Sequence, residues 1–104
     1  MRDLAGRVAL VTGSSRGIGE ACARHLAAAG AHIVVNSASS IEAGRAVAQS
    51  LPTDSVYIGA DISDRTQVES LVGDTIERFG RLDILVNNAG WTTVVPHGDL
   101  EALT

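Results

Sequence analysis

The sequence predicts an α/β fold, a doubly wound parallel sheet in three layers with helices on both faces. Three observations predict it. Short apolar runs alternate with segments whose apolar residues recur at helical spacing. The runs Val8-Ala9-Leu10-Val11, Ile33-Val34-Val35 and Ile84-Leu85-Val86 are continuous, as in strands covered on both faces. A glycine-rich turn joins the first run directly to the first helical pattern. With right-handed crossovers, four strands and three helices take the order 3-2-1-4, reversing between strands one and four.

Strand one is placed at residues 7–12 and helix one at 17–29, where Ile18, Cys22, Leu26 and Ala29 share a face and Gly30 acts as the stop. Strand two is 32–36. Ser39 with Glu42 three residues on has the form of a capping box opening helix two, which ends before Pro52. Strand three is 55–60. Ser63 is the candidate cap of helix three, whose apolar face is Val68, Leu71, Val72, Ile76 and Phe79, and Gly80 closes it. Strand four is 83–87. Beyond Gly90 no clear period is present, although residues 99–104 could start another helix.

Composition narrows the function classes. At 104 residues the chain is at most one domain. Aromatics are only 3%, so the core must come from Val, Ile, Leu and Ala. All eight basic residues are arginine, net charge is −4 and no basic run exists, which disfavours a nucleic acid or an anionic membrane as partner. No stretch approaches the ~20 apolar residues of a membrane span, and the first residues lack the apolar core of a signal peptide. The expectation is a soluble, cytoplasmic protein. The lone Cys22 excludes an internal disulfide, and His25, His32 and His97 are too dispersed to indicate a metal site, so none is assigned.

Thr12-Gly13-Ser14-Ser15-Arg16-Gly17-Ile18-Gly19 is the candidate site. Gly13 lets the chain turn off strand one, Gly17 has no side chain where a pyrophosphate would approach, and Gly19 lets helix one pack close. The N–H groups and dipole at the helix start favour negative phosphates. The spacing is neither G-x-G-x-x-G nor that of a phosphate-loop NTPase, since no lysine follows.

Thr12-Gly13-x-x-x-Gly17-Ile18-Gly19 resembles the cofactor motif of the short-chain dehydrogenase/reductase family. Asn87-Asn88-Ala89-Gly90 looks like the N-N-A-G motif of that family, and Asp61-Ile62 resembles its adenine-contacting acid. Three blocks in order at the ends of three strands cover the whole chain, but only the N-terminal half of a typical member. The resemblance implies a Rossmann-type fold, of which residues 1–104 are the N-terminal part of one NAD(P)-binding domain. It implies a turn formed by Gly13, Gly17 and Gly19, with Ser15 and Arg16 among the cofactor-binding residues and Ile18 beside the nicotinamide end. Asp61 would accept a bond from the adenine amino group with Ile62 nearby. Asn87 would tie the sheet centre together, Ala89 and Gly90 would pass close to a cofactor ribose, and Asn88 would be among the cofactor-binding residues. Plainer readings stand beside these: Asp61 as a helix-entry turn acid, and Asn87 and Asn88 as ordinary turn residues.

The cofactor is expected to be NADP(H) rather than NAD(H). An NAD site usually has an acid at the end of strand two. Here the stretch is Val35-Asn36-Ser37-Ala38-Ser39, with no carboxylate before Glu42. Arg16 can give a 2′-phosphate a forked cationic contact, and Asn36, Ser37 and Ser39 can add neutral hydrogen bonds. Arg16 could equally be a solvated surface residue, and Asn36 could simply end the strand.

No catalytic residue is assigned. In the family resembled, proton transfer uses a tyrosine and a lysine four residues later, aided by a serine and an asparagine. Tyr57 is the only tyrosine, Asp61 stands four residues on, and no lysine exists, so Tyr57 reads as packing. Cys22 reads as a small core residue, and Trp91 as either a substrate-entrance or a loop-packing residue. The first hypothesis is the cofactor half of an NADP(H)-dependent carbonyl reductase or alcohol dehydrogenase, inactive as this span alone, acting on a small carbonyl or alcohol substrate and forming a homo-oligomer, a dimer or tetramer, at full length. The alternative is a non-catalytic nucleotide-binding module. A sugar-nucleotide epimerase relative is disfavoured by the glycine spacing. Without further strands beside strand four, its edge and several helix faces would be bare, so the span alone is expected to self-associate.

Overall fold

The computed structural model of the chain describes residues 3–88 and 93–95. It contains β1 (Val8–Val11), α1 (Gly17–Ala28), β2 (His32–Val35), α2 (Ile41–Ser50), β3 (Val56–Tyr57), α3 (Arg65–Phe79), β4 (Ile84–Asn87) and β5 (Thr93–Val95). The sheet order is β3-β2-β1-β4-β5. β1 is central. It pairs in parallel with β2, Val8 opposite His32 through Val11 opposite Val35, and with β4, Ala9 opposite Ile84 through Val11 opposite Val86. The expected 3-2-1-4 core of parallel strands is therefore present.

Side-chain alternation along β1 sends successive residues to opposite faces. Ala9 and Val11, with Ile33 and Val35 of β2, pack under α1 and α2. Val8 and Leu10, with Val34 and Leu85, pack under Leu71 of α3. Both faces of β1 and β2 are thus buried, which is why these strands read as unbroken apolar runs.

The helices differ from expectation in their faces and caps. α1 meets the sheet through Gly19, Ala23 and Ala27, small residues at i, i+4 and i+8 that allow close approach. The apolar row proposed from sequence lies beside that seam: Cys22 and Leu26 are half-buried, and Ile18 is 75% exposed. The capping box of α2 is not formed. Ser40, not Ser39, is the residue before the helix, and its hydroxyl caps nothing because it accepts a bond from Arg16. α3 is capped by Asp64 rather than Ser63, its carboxylate accepting from the N–H groups of Thr66 and Gln67. Ser63 is held instead by Asp61. Thr75 replaces Ile76 on the buried face of α3, because its hydroxyl is satisfied by donating 2.8 Å to the Leu71 carbonyl. Gly30 and Gly80 end their helices at positive φ, as anticipated.

β3 is two residues long. Past Tyr57 the Ile58 and Ala60 N–H groups still donate to the Val35 and Ser37 carbonyls, while the Asn36 side chain takes the carbonyls of Ile58 and Ala60. At the other side of the sheet, β4 is not an edge. β5 pairs antiparallel with it, Leu85 opposite Val95 and Asn87 opposite Thr93. Thr93-Val94-Val95 is too short for periodicity to show, but it is β-branched throughout and suits a strand. The suggested helix over 99–104 lies outside the described residues.

An ion cluster around the buried Asp83, with two solvent-facing arginines, fixes the lower ends of β1 and β4. Asp83 accepts from the Val8 N–H at 2.9 Å and from both arms of Arg81 at 2.7 and 2.8 Å, with Arg7 3.6 Å away. The Arg81 fork holds the carboxyl below the usual carboxylate range against the opposing effect of burial. This sets the β1–β4 register from which the opposite, C-terminal ends of the strands are placed.

Candidate functional site

The glycine turn leaves β1 at Gly13, φ +61°, and enters α1 at Gly17, φ +63°. Both conformations lie in the region that glycine adopts without a Cβ penalty. A Cβ on Gly17 would meet nothing within 4 Å, whereas one on Gly19 would collide with the Gly13 carbonyl and come within 2.8 Å of Asn88 Nδ2. Gly17 therefore keeps space open in front of the helix, and Gly19 permits contact behind it. The residue before α1, Arg16, is extended at φ −163°, and no side chain caps the helix start. First-turn N–H groups without a side-chain cap, open space at Gly17 and the positive end of a dipole fit a phosphate.

The turn is held from three sides. Ser14 is fully buried; its hydroxyl donates 2.6 Å to the Val11 carbonyl and accepts from the Asn36 N–H, while its own N–H donates to the Asn36 carbonyl. Thr12 Oγ1 accepts from the Asn88 N–H at 2.9 Å and bonds Asn87 Oδ1 at 3.2 Å. Asn88 Nδ2 donates to the Gly13 carbonyl at 3.2 Å. Asn87 and Asn88 thus link β4 to β1 and the turn.

Other proposed contacts are distributed differently. Ser15 is buried beside the turn, and Arg16 and Ile18 are exposed. Arg16 reaches over the end of β2, its guanidinium 2.8 Å from Ser40 Oγ. Asn36 and Ser37, expected to offer side-chain bonds to a 2′-phosphate, are turned inward. Asn36 is 1% exposed with its amide nitrogen given to Ile58 and Ala60. The Ser37 hydroxyl bonds Tyr57 Oη at 2.7 Å. The Tyr57 ring lies against Gly44 of α2, where no Cβ would fit, so the tyrosine is a packing residue. Asp61 is exposed; Ser63, through its hydroxyl and then its N–H, keeps the carboxyl below its ordinary range, so it is an ionised acceptor at the entry to α3. Ile62 lines an apolar groove with Leu10, Thr12, Val68, Leu71 and Leu85. Ala89, Gly90 and Trp91 lie outside the described residues.

Sequence reasoning missed the roles of Thr12, Ser14 and Ser40. Hydroxyl residues in a turn carry no periodic signal, and the capping pattern, which the fold does not use, pointed to Ser39 rather than its neighbour Ser40.

A glycine turn without a side-chain cap at the carboxyl ends of β1 and β4, where strand order reverses, defines a doubly wound fold of the Rossmann type. The family model described as short chain dehydrogenase matches residues 7–103, and the chain belongs to that family. A Streptomyces violaceoruber protein named for ketoacyl reduction in the granaticin polyketide synthase is 54% identical over 97 residues, which cover 93% of this chain and 39% of that protein. A 3-oxoacyl-acyl-carrier-protein reductase of Synechocystis is 43% identical over 95 residues, 88% of this chain and 38% of the relative. The crystal structure of a short chain dehydrogenase from Burkholderia cenocepacia, in complex with NADP, superposes with a TM-score of 0.81 at 46% identity over 88% of this chain and 38% of that one. The chain therefore spans about two fifths of the length of the relatives it matches.

Proposed function

We propose that this chain is the cofactor-binding part of an NADP(H)-dependent carbonyl reductase or alcohol dehydrogenase. The observation that carries this reading is the opening of α1: an uncapped helix start, open space at Gly17, and Arg16 held toward the end of β2 by Ser40. The amides at 17–19 would hold the bridging phosphates. Arg16, with no carboxylate between Asn36 and Ser40 to oppose it, would pair with the 2′-phosphate. Asp61 would accept from the adenine amino group, with Ile62 beside it, and Asn88, Ala89 and Gly90 would border the ribose. When bound, the nicotinamide gives or takes the hydride; the residues here bind and orient it.

Tyr57 is consumed by packing, so proton transfer belongs to residues outside this span, and the span alone is expected to be inactive. The relatives named for oxoacyl reduction direct the substrate search to β-keto thioesters. The test is NADPH and NADH oxidation with a ketone panel that includes such thioesters, run on this span and on the protein with its natural continuation. Activity confined to the longer form with NADPH supports the reading. Turnover by the short span contradicts it, and preference for NADH contradicts the cofactor assignment.

A further inference from the structure

Asn36 stands where a direct contact to the cofactor was expected, yet it is 1% exposed, and every polar atom of its side chain has a partner inside the protein. Oδ1 accepts from the Gly13 N–H at 3.4 Å. Nδ2 donates to the Ile58 carbonyl at 3.0 Å and the Ala60 carbonyl at 3.3 Å. Two carbonyls need donors and one N–H needs an acceptor, so the amide has one orientation and no hydrogen left for a ligand. These partners belong to the two walls of the site: Gly13 opens the phosphate turn, and Ala60 immediately precedes Asp61. The backbone of Asn36 adds a second tie, exchanging bonds with Ser14 on both sides.

We propose that Asn36 is a positioning residue that locks the glycine turn to the segment after β3 that carries Asp61, so that both halves of a dinucleotide meet walls already in register. The proposal rests on the cofactor reading above. It assigns Asn36 to grip on any dinucleotide, and leaves the choice between NADP(H) and NAD(H) to Arg16. A carboxylate at this position would face two carbonyl oxygens, which is repulsive in a buried site. Asn36→Asp therefore separates the two roles. If Asn36 touched the 2′-phosphate, the acid would repel NADPH and favour the ribose hydroxyl of NADH. If it positions the turn, both cofactors lose alike.

The experiment is titration of NADPH and NADH into the full-length protein and its Asn36→Asp form, well below the melting transition of each. Both affinities should fall by roughly tenfold or more, with their ratio unchanged within about twofold. A fall for NADPH with NADH unchanged or improved overturns the proposal, as does no change in either. Should the variant lack a cooperative melt, two further measurements decide. Asn36→Ser must weaken both cofactors in parallel, and the Gly13 amide of the unmodified protein must exchange with solvent more slowly than an unstructured glycine amide; failure of either overturns it. An unmodified protein that binds neither cofactor removes the cofactor reading itself, a result visible before any variant is made.

Discussion

Gly17 and Gly19 respond differently to an added methyl group. At Gly17 the methyl has space, so Gly17→Ala incurs only the strain of positive φ, about 1–2 kcal/mol, while placing carbon where the phosphate is proposed to approach. The variant should keep its cooperative melt and lose NADPH affinity. At Gly19 the methyl meets the Gly13 carbonyl, and Gly19→Ala should destabilise the fold by about 1–3 kcal/mol as well as weaken binding. Thermal melts beside fluorescence titrations distinguish the two. The close approach at Gly19 was legible from spacing alone, because such an approach leaves room only for a glycine. The role of Asn36 was not, since an amide at a strand end looks alike whether it faces ligand or core. Asp83 was missed altogether: one acid in Arg81-Leu82-Asp83 reads as solvated until folding buries it against the Val8 N–H. Its folded pKa lies below the unfolded one, so its stabilisation is complete above roughly pH 4 and is lost as pH falls through the folded value. Asp83→Asn should lower the melting midpoint at neutral pH and flatten its decline below about pH 4, as followed by circular dichroism.

At the scale of elements, periodicity found the three helices and the four parallel strands of the described residues, and it erred where local hydrogen bonds decide. Asp64 and Ser63 are adjacent candidates for the cap of α3, and sequence cannot say which carbonyl begins the helix. The structure gives the cap to Asp64 because Asp61 has already taken Ser63. Asp64→Ala should accordingly cost about 1 kcal/mol in denaturant unfolding, and Ser63→Ala less than about 0.5 kcal/mol; the reverse order would contradict the assignment. The face of α1 was misjudged for a related reason. Large apolar residues mark a buried face in most helices, but here the seam against the sheet is Gly19, Ala23 and Ala27, where a hydropathy pattern counts little. Ala23→Leu should therefore destabilise by about 1–3 kcal/mol through overpacking.

At the scale of the molecule, the order of strands followed from alternation and handedness, whereas the antiparallel β5 required the tertiary fold. β5 covers β4, yet apolar surface stays open on both sides of the sheet. A shallow depression beside Ile18, Cys22, Leu26 and Val86 lies on the α1 face, and the groove at Leu10, Val68, Leu71 and Leu85 lies beside α3. Among the described residues no helix is long and apolar enough to cross a membrane. The 104-residue span in isolation is expected to associate through these surfaces, with an apparent mass in light scattering that rises with concentration; a monomer across that range would contradict this.

Cofactor binding, as proposed, depends most on the start of α1 holding the phosphates. The direct measurement is an amide NMR titration of the full-length protein with NADPH. The N–H signals of Gly13 to Gly19 should move together, with a parallel change at the Arg16 guanidinium that NADH does not reproduce. Saturating NADPH that leaves those signals in place while shifting others would contradict it.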